Sequence, residues 1–203
     1  MGEVARREQI LQAAERLLEH YGPQKTTVGD VAREAGIGVG SVYLEFPSKE
    51  AIIEALSRAR HDVVLEAMRE AAERPGSSWA ARLSGMMDAR LDAYLAQASG
   101  GAHARDLLHC ANSAVKSVSQ WFHDEERALL MGLLEAGARD GEFDIVDTEL
   151  VARVILRAYT SFSPPWLLCG DHEETRRLVV AMHEVVLRGV LKRVPLRRKR
   201  EVG

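Results

Sequence analysis

The segment running from Thr26 to Phe46 holds the residues best suited to contacting another molecule. It reads as two short helices joined by a turn that contains Gly36, the form of a DNA-binding helix-turn-helix. Thr27 is a good N-cap for the first helix, and Asp30 three residues on supplies the acidic partner of a capping box. Val28, Val31, Ala32 and Ala35 carry its apolar face. Gly36 can adopt the positive φ that a tight turn requires. The second helix opens with Gly38, Val39, Gly40 and Ser41 and runs to about Leu44, where Pro47 bars its continuation. In this motif the first residues of the second helix face base edges in the major groove. The spacing therefore points to sequence-specific contact with duplex DNA rather than to bond-breaking chemistry.

The elements that must position this motif are helical. Ile10, Ala13, Ala14, Leu17, Leu18 and Tyr21 form one face of a first helix, which Gly22-Pro23 ends. Ser48 caps a long helix over about residues 49–73. The break at 74–78 is followed by a helix through Trp79, Leu83, Met87, Leu91 and Leu95. A short helix is expected at 103–113, a longer one at about 115–139, one from Asp147 or Thr148 through Phe162, and a last one at about 173–193. The expectation is an all-α protein of about nine helices, with no convincing strand and no internal repeat. Its expected parts are a helix-turn-helix domain at 1–47, a helical regulatory and dimerisation domain at 48–195, and a basic tail at 196–203.

Composition agrees with that class and narrows the alternatives. Of the 203 residues, 46% are hydrophobic and only 5% aromatic, a balance that favours helices over strands. Residues 1–50 hold six Lys and Arg against eight Asp and Glu, so this motif carries no net basic charge; residues 188–203 hold seven against one. The tail run Arg197-Arg198-Lys199-Arg200 reads either as a solubilising end or as an auxiliary phosphate contact. Cys110 and Cys169 form no CxxC pair, no apolar leader opens the chain, and no stretch is long enough to span a bilayer. A cytoplasmic protein without a membrane partner is expected. The seven histidines make no HxxxH pair, so no metal and no cofactor is assigned. No GxSxG, P-loop or strand-associated GxGxxG motif suggests an enzyme. The acidic run Asp124-Glu125-Glu126 reads as a solvated helix start.

The run at 35–51, AGIGVGSVYLEFPSKEA, resembles the signature of the TetR family of bacterial regulators, as does the lead-in Ile10–Leu18; together the likeness covers about residues 6–56. The resemblance implies a homodimeric, ligand-responsive repressor that binds a palindromic operator. It implies that Thr26 and Thr27 meet a phosphate, that Gly38, Val39, Gly40 and Ser41 face bases, that the Tyr43 hydroxyl bonds a phosphate, and that Lys49 meets another. Two departures stand out. Val39 occupies a position often held by Lys, which makes it a candidate for contact with a thymine methyl group. Leu44-Glu45 replaces an aromatic or His pair, and a Glu near phosphates repels them unless it points away or pairs with a cation such as Arg33. A module of the same fold that has lost DNA binding and serves as a ligand-binding or protein-interaction unit is the alternative that Glu45 motivates.

The rest of the chain would supply an effector pocket and a dimer interface. Met86, Met87, Arg90, Tyr94, His109, Cys110, Trp121, Phe122 and Tyr159 mix apolar bulk with polar ends, as ligand sites do, though each could equally be plain core. Arg90 could bind an acidic ligand, or be solvated or salt-bridged. The last helix is apolar nearly all round, and a helix that must bury two faces needs two partners. Leu150, Val154, Ala158 and Phe162 with Leu178, Met182, Val185, Val186 and Val190 are the expected contacts of an isologous four-helix dimer interface.

Overall fold

The computed structural model describes residues 3–98, 113–168 and 171–192. Eight α-helices account for most of them: α1 (Glu3–Tyr21), α2 (Val28–Glu34), α3 (Val39–Glu45), α4 (Lys49–Ala72), α5 (Trp79–Ala98), α6 (Ser113–Arg139), α7 (Thr148–Ala158) and α8 (His172–Val190). The helix expected at 103–113, including His109 and Cys110, lies outside the described residues, apart from Ser113 itself. So do Cys169 and the basic tail. No described helix is long and apolar enough to cross a membrane.

Local chemistry sets most helix ends. Gly22 closes α1 at φ 77°, its N–H reaching the Leu18 carbonyl at 2.9 Å. The Thr27 capping box forms: the hydroxyl accepts from the Asp30 N–H at 3.2 Å, and the Asp30 carboxylate accepts from the Thr27 N–H at 3.0 Å. Ser48 caps α4 through the Ala51 N–H, and Asp147 and Asp171 cap α7 and α8. The start of α5 is capped from a distance. The Glu142 carboxylate, in the loop after α6, accepts from the N–H groups of Trp79 at 2.9 Å and Ala80 at 2.8 Å. α7 stops earlier than its apolar pattern suggests: the α-helix ends at Ala158 and a single 3-10 turn carries Tyr159–Phe162. The sole β feature among the described residues is an isolated antiparallel bridge between Phe143 and Leu191.

Apolar burial gathers into two cores. One joins Ile10, Ala13, Ala14 and Leu18 of α1 to Val31, Ala32 and Ala35, to Val42 and Phe46, and to Ile52, Ile53 and Leu56 of α4. The other joins the remainder of α4 (Val64, Leu65, Met68) to α5, α6, α7 and α8. Helix α4 is thus shared. Its start, through Ile52, Ile53 and Leu56, belongs to the N-terminal core and its end, from Val64 to Ala72, to the larger one, so a boundary drawn at residue 47 passes through the first core. Val115 of α6 also packs into the N-terminal core.

Ion pairs fasten α1 to α4 and α2. Arg60 of α4 is 8% exposed and bonds Glu15 at 3.0 Å and, more closely, Glu19. Arg16 pairs with Glu34 of α2 at 3.0 Å. The helix-turn-helix is therefore fastened to α4 through both apolar packing and ions, and a tilt of α4 would carry it along.

Candidate nucleic-acid interface

The orientation of α3 follows from its one buried residue. Val42 has no exposed surface and belongs to the N-terminal core with Ala32 and Ala35, against which Ile37 packs; Gly36 at φ +67° lets the Ile37 N–H turn back to the Ala32 carbonyl at 3.0 Å. Gln9 of α1 holds the end of α2 by donating to the Ala35 carbonyl at 2.6 Å. With Val42 inward, helical periodicity turns positions 40, 43 and 44 outward, while Val39, three residues before Val42 and the first residue of the helix, borders the buried side and is still exposed. Gly38, Val39 and Gly40 are exposed, Ser41 is half-buried, Tyr43 is 53% exposed and Leu44 is 79% exposed. Leu44 was not among the sequence candidates, although its spacing of four from Gly40 places it on that residue's face.

Glu45, the residue that argued against DNA contact, is turned aside. Its side chain is only 8% exposed, and one carboxylate oxygen lies 3.7 Å from Nε of Arg6 on α1. Arg7 donates to the Glu45 carbonyl at 3.3 Å and stacks over the Phe46 ring at 4.2 Å. The partner is therefore Arg6, not Arg33, which pairs with Asp30 at 3.1 Å.

The flanking candidates divide. Thr27 is exposed, but its hydroxyl is occupied by the capping box and donates to Asp30 at 2.6 Å, a bond that holds the Asp30 carboxyl below its usual range. Thr26 requires a correction. It is 2% exposed, and its hydroxyl donates to the Gly22 carbonyl at 2.9 Å, so its side chain secures the α1–α2 turn and cannot face a phosphate. Lys49 is half-buried, its Nζ donating to the Pro23 carbonyl at 2.8 Å.

Residues 10–56 match the family model described as bacterial regulatory proteins, tetR family. Over 157 residues, 76% of each chain, the protein is 34% identical to the HTH-type transcriptional repressor KstR2 of Rhodococcus jostii. It is 28% identical to the repressor of the same name from Mycolicibacterium smegmatis, over 92% of this chain and 91% of that one. The chain belongs to the TetR family. It is a helical, DNA-binding transcriptional repressor of that family and not an enzyme. A crystal structure of a TetR-family regulator from Syntrophomonas wolfei has the same fold, with a TM-score of 0.72 at 18% identity over 94% of this chain and 98% of that one.

In this TetR-family chain the expected effector residues lie mostly in the larger core. Met86, Met87, Tyr94, Phe122 and Tyr159 are buried there, and Trp121 is half-buried beneath Arg58 at 3.7 Å. Arg90 is 3% exposed and already paired: its Nε contacts the Glu126 carboxylate closely, and its NH2 donates to Ser163 Oγ at 2.7 Å. Glu126 is thereby also corrected, from a solvated helix start to a buried anion in the middle of α6. Burial by itself would raise its carboxyl, but the Arg90 charge beside it holds it below the usual range. A cleft of about 570 Å³ opens beside this pair, lined in part by Arg153, Arg157, Leu150 and Val154; of the seven sequence candidates among the described residues it touches only Arg90. Tyr159, His183 and Asp88 form a chain of hydrogen bonds of 2.6 and 2.9 Å. Burial, and then the Asp88 charge, push the Tyr159 phenol up, and its hydroxyl lies at hydrogen-bond distance from His183 Nδ1. Among the described residues no cluster of His, Cys, Asp and Glu is placed to hold a metal ion.

The expected dimer residues also divide. Leu150, Val154, Leu178 and Val185 are exposed, as are Val146 and Val180; Ala158, Met182 and Val186 are half-buried. Phe162 and Val190 are 6% and 5% exposed and belong to the chain's own core. The apolar pattern of a helix does not reveal from its sequence which face the chain's own core covers.

Proposed function

We propose that this repressor acts as a homodimer on a two-fold symmetric operator and is released by a small-molecule effector. The observation that carries the reading is the outward face of α3, where Val39, Gly40, Tyr43 and Leu44 stand exposed while the nearby carboxylate of Glu45 is drawn aside by Arg6. An α-helix of about 10–12 Å diameter fits a major groove of about 12 Å. In this reading Gly38, Val39, Gly40 and Ser41 meet base edges, and the Tyr43 hydroxyl, Thr27 and Lys49 meet phosphates around them. Residues 1–47 with the start of α4 form the reading unit, and the helices from α4 to α8 form the regulatory and dimerising unit of a cytoplasmic protein.

Dimerisation is supported by the aliphatic side chains that α7 and α8 leave in solvent: Leu150, Val154, Leu178 and Val185. Burying such side chains is favourable at about 25 cal/mol per Å², and a second copy offers the same surface. Two copies set two recognition helices against half-sites about 34–36 Å apart. An effector bound among α5, α6 and α7 would favour one tilt of α4 over another, and α4 carries α1 with it through Arg60.

The test is fluorescence anisotropy with the full chain and a duplex from upstream of its own gene, at two salt concentrations and with scrambled competitor. The reading expects competitor-resistant binding that weakens as salt rises. Binding indifferent to sequence would overturn it.

A further inference from the structure

The outward face of α3 is chemically unusual for a helix that reads bases. Bidentate readout of guanine needs Arg or Lys, of adenine needs Asn or Gln, and cytosine is read by a carboxylate. No residue of α3 is a cation or an amide, and its single carboxylate, Glu45, is 8% exposed and held by Arg6. What remains exposed is Val39, Tyr43 and Leu44 with the bare backbone of Gly38 and Gly40, and the half-buried Ser41 adds one short hydroxyl that does not discriminate among bases.

The two glycines carry a second, independent observation. Gly38 has φ −71°, and Gly40 lies within the helix without a positive φ, so neither backbone conformation demands glycine. A Cβ added at either position would meet nothing within 4 Å. Nothing inside the protein requires these residues to be small; Gly38 is the N-cap of α3, a position glycine suits, but Gly40 lies within the helix, where glycine is unfavourable relative to alanine. The space they leave lies on the outside, on either side of Val39, and lets the helix backbone come close to whatever Val39 touches.

We propose that this chain reads its operator half-site through thymine methyl groups, with Val39 as the specificity-determining residue and Gly38 and Gly40 clearing the approach. The inference rests on the DNA-reading function proposed above. The thymine C5-methyl is the one apolar group that the major groove displays, and an isopropyl group between two side-chain-free positions has an apolar surface to offer it and no hydrogen bond.

The experiment begins by enriching random 30-base-pair duplexes on the full-length protein. Each thymine of the recovered site is then replaced singly by deoxyuridine, which removes the methyl and preserves pairing. Affinities are measured for the wild type and for Val39→Ala, whose thermal unfolding is checked in parallel. At least one replacement per half-site is expected to weaken wild-type binding about fourfold, the worth of one buried methyl-sized group at about 0.8 kcal/mol. Val39→Ala is expected to bind more weakly and to be indifferent to that same replacement. An enriched site at which no deoxyuridine matters overturns the inference while leaving sequence reading intact, as does a Val39→Ala protein that keeps the wild-type sensitivity. An enrichment that recovers no common sequence overturns the DNA-reading function itself.

Discussion

Arg6 of α1 and Glu45 at the end of α3 are joined across the N-terminal unit, the guanidinium Nε 3.7 Å from a carboxylate oxygen that is largely withdrawn from solvent. In the proposed reading this contact lets a helix that approaches a polyanion carry an acidic residue, because a cation on a neighbouring helix faces the charge. Replacing Arg6 by Ala leaves that carboxylate unpaired near phosphates. Operator affinity should fall about tenfold, equivalent to about 1.4 kcal/mol, and Glu45→Gln in the same background should restore most of it. Anisotropy titrations of the two variants check this. If the double variant binds no better than the single one, Arg6 acts through phosphate contact of its own.

Gly40→Ala separates folding from reading. The new methyl meets nothing in the protein and the φ is ordinary. Stability should therefore rise by about 0.5–1 kcal/mol through the helix preference of alanine. Operator affinity should nevertheless drop, because the methyl occupies the space beside Val39. Thermal unfolding and anisotropy on the same preparation give both signs at once.

The Arg90–Glu126 pair in the larger core should behave as a buried ion pair. Glu126→Gln leaves the Arg90 charge uncompensated and should cost about 3–5 kcal/mol, whereas Arg90→Met with Glu126→Leu should recover most of that loss. The pH dependence has a defined sign. The folded-state carboxyl sits below its ordinary value of 4.5. Its stabilising contribution is therefore complete above pH 4.5 and is lost as the pH falls towards the folded-state value. Denaturation midpoints recorded from neutral pH into the acid range should show this loss in the wild type and not in the double variant.

Val185 is 68% exposed on α8 and makes a clean probe of self-association. Val185→Asp should leave the monomer fold intact by circular dichroism. It should also shift sedimentation equilibrium towards monomer and weaken operator binding. A variant that sediments as the wild type does would remove α8 from the interface.

The helix-turn-helix was legible in the sequence because its signals are local. Thr27 and Asp30 are three residues apart, Gly36 marks the turn, and Ser48 sits directly before α4. The fates of individual side chains were not legible, since they depend on distant partners. Glu45 finds Arg6 39 positions earlier in the chain, and Glu126 finds Arg90 across 36. Thr26 reads as a surface hydroxyl until α1 is seen to end at Gly22 beside it. Phe162 and Val190 share the apolar pattern of Leu150 and Val185, and only the packed helices separate those facing inward from those left in solvent.

The most direct test of the account is a selection of genomic fragments on the purified full-length protein, run beside a variant in which Val39, Tyr43 and Leu44 are all Ala. The account predicts that the wild type recovers fragments sharing a two-fold symmetric motif, with half-sites one helical turn or a related spacing apart, and that the variant recovers none. A wild type that enriches no motif, or a variant that enriches the same one, would contradict the assignment of α3 as the element that reads the operator.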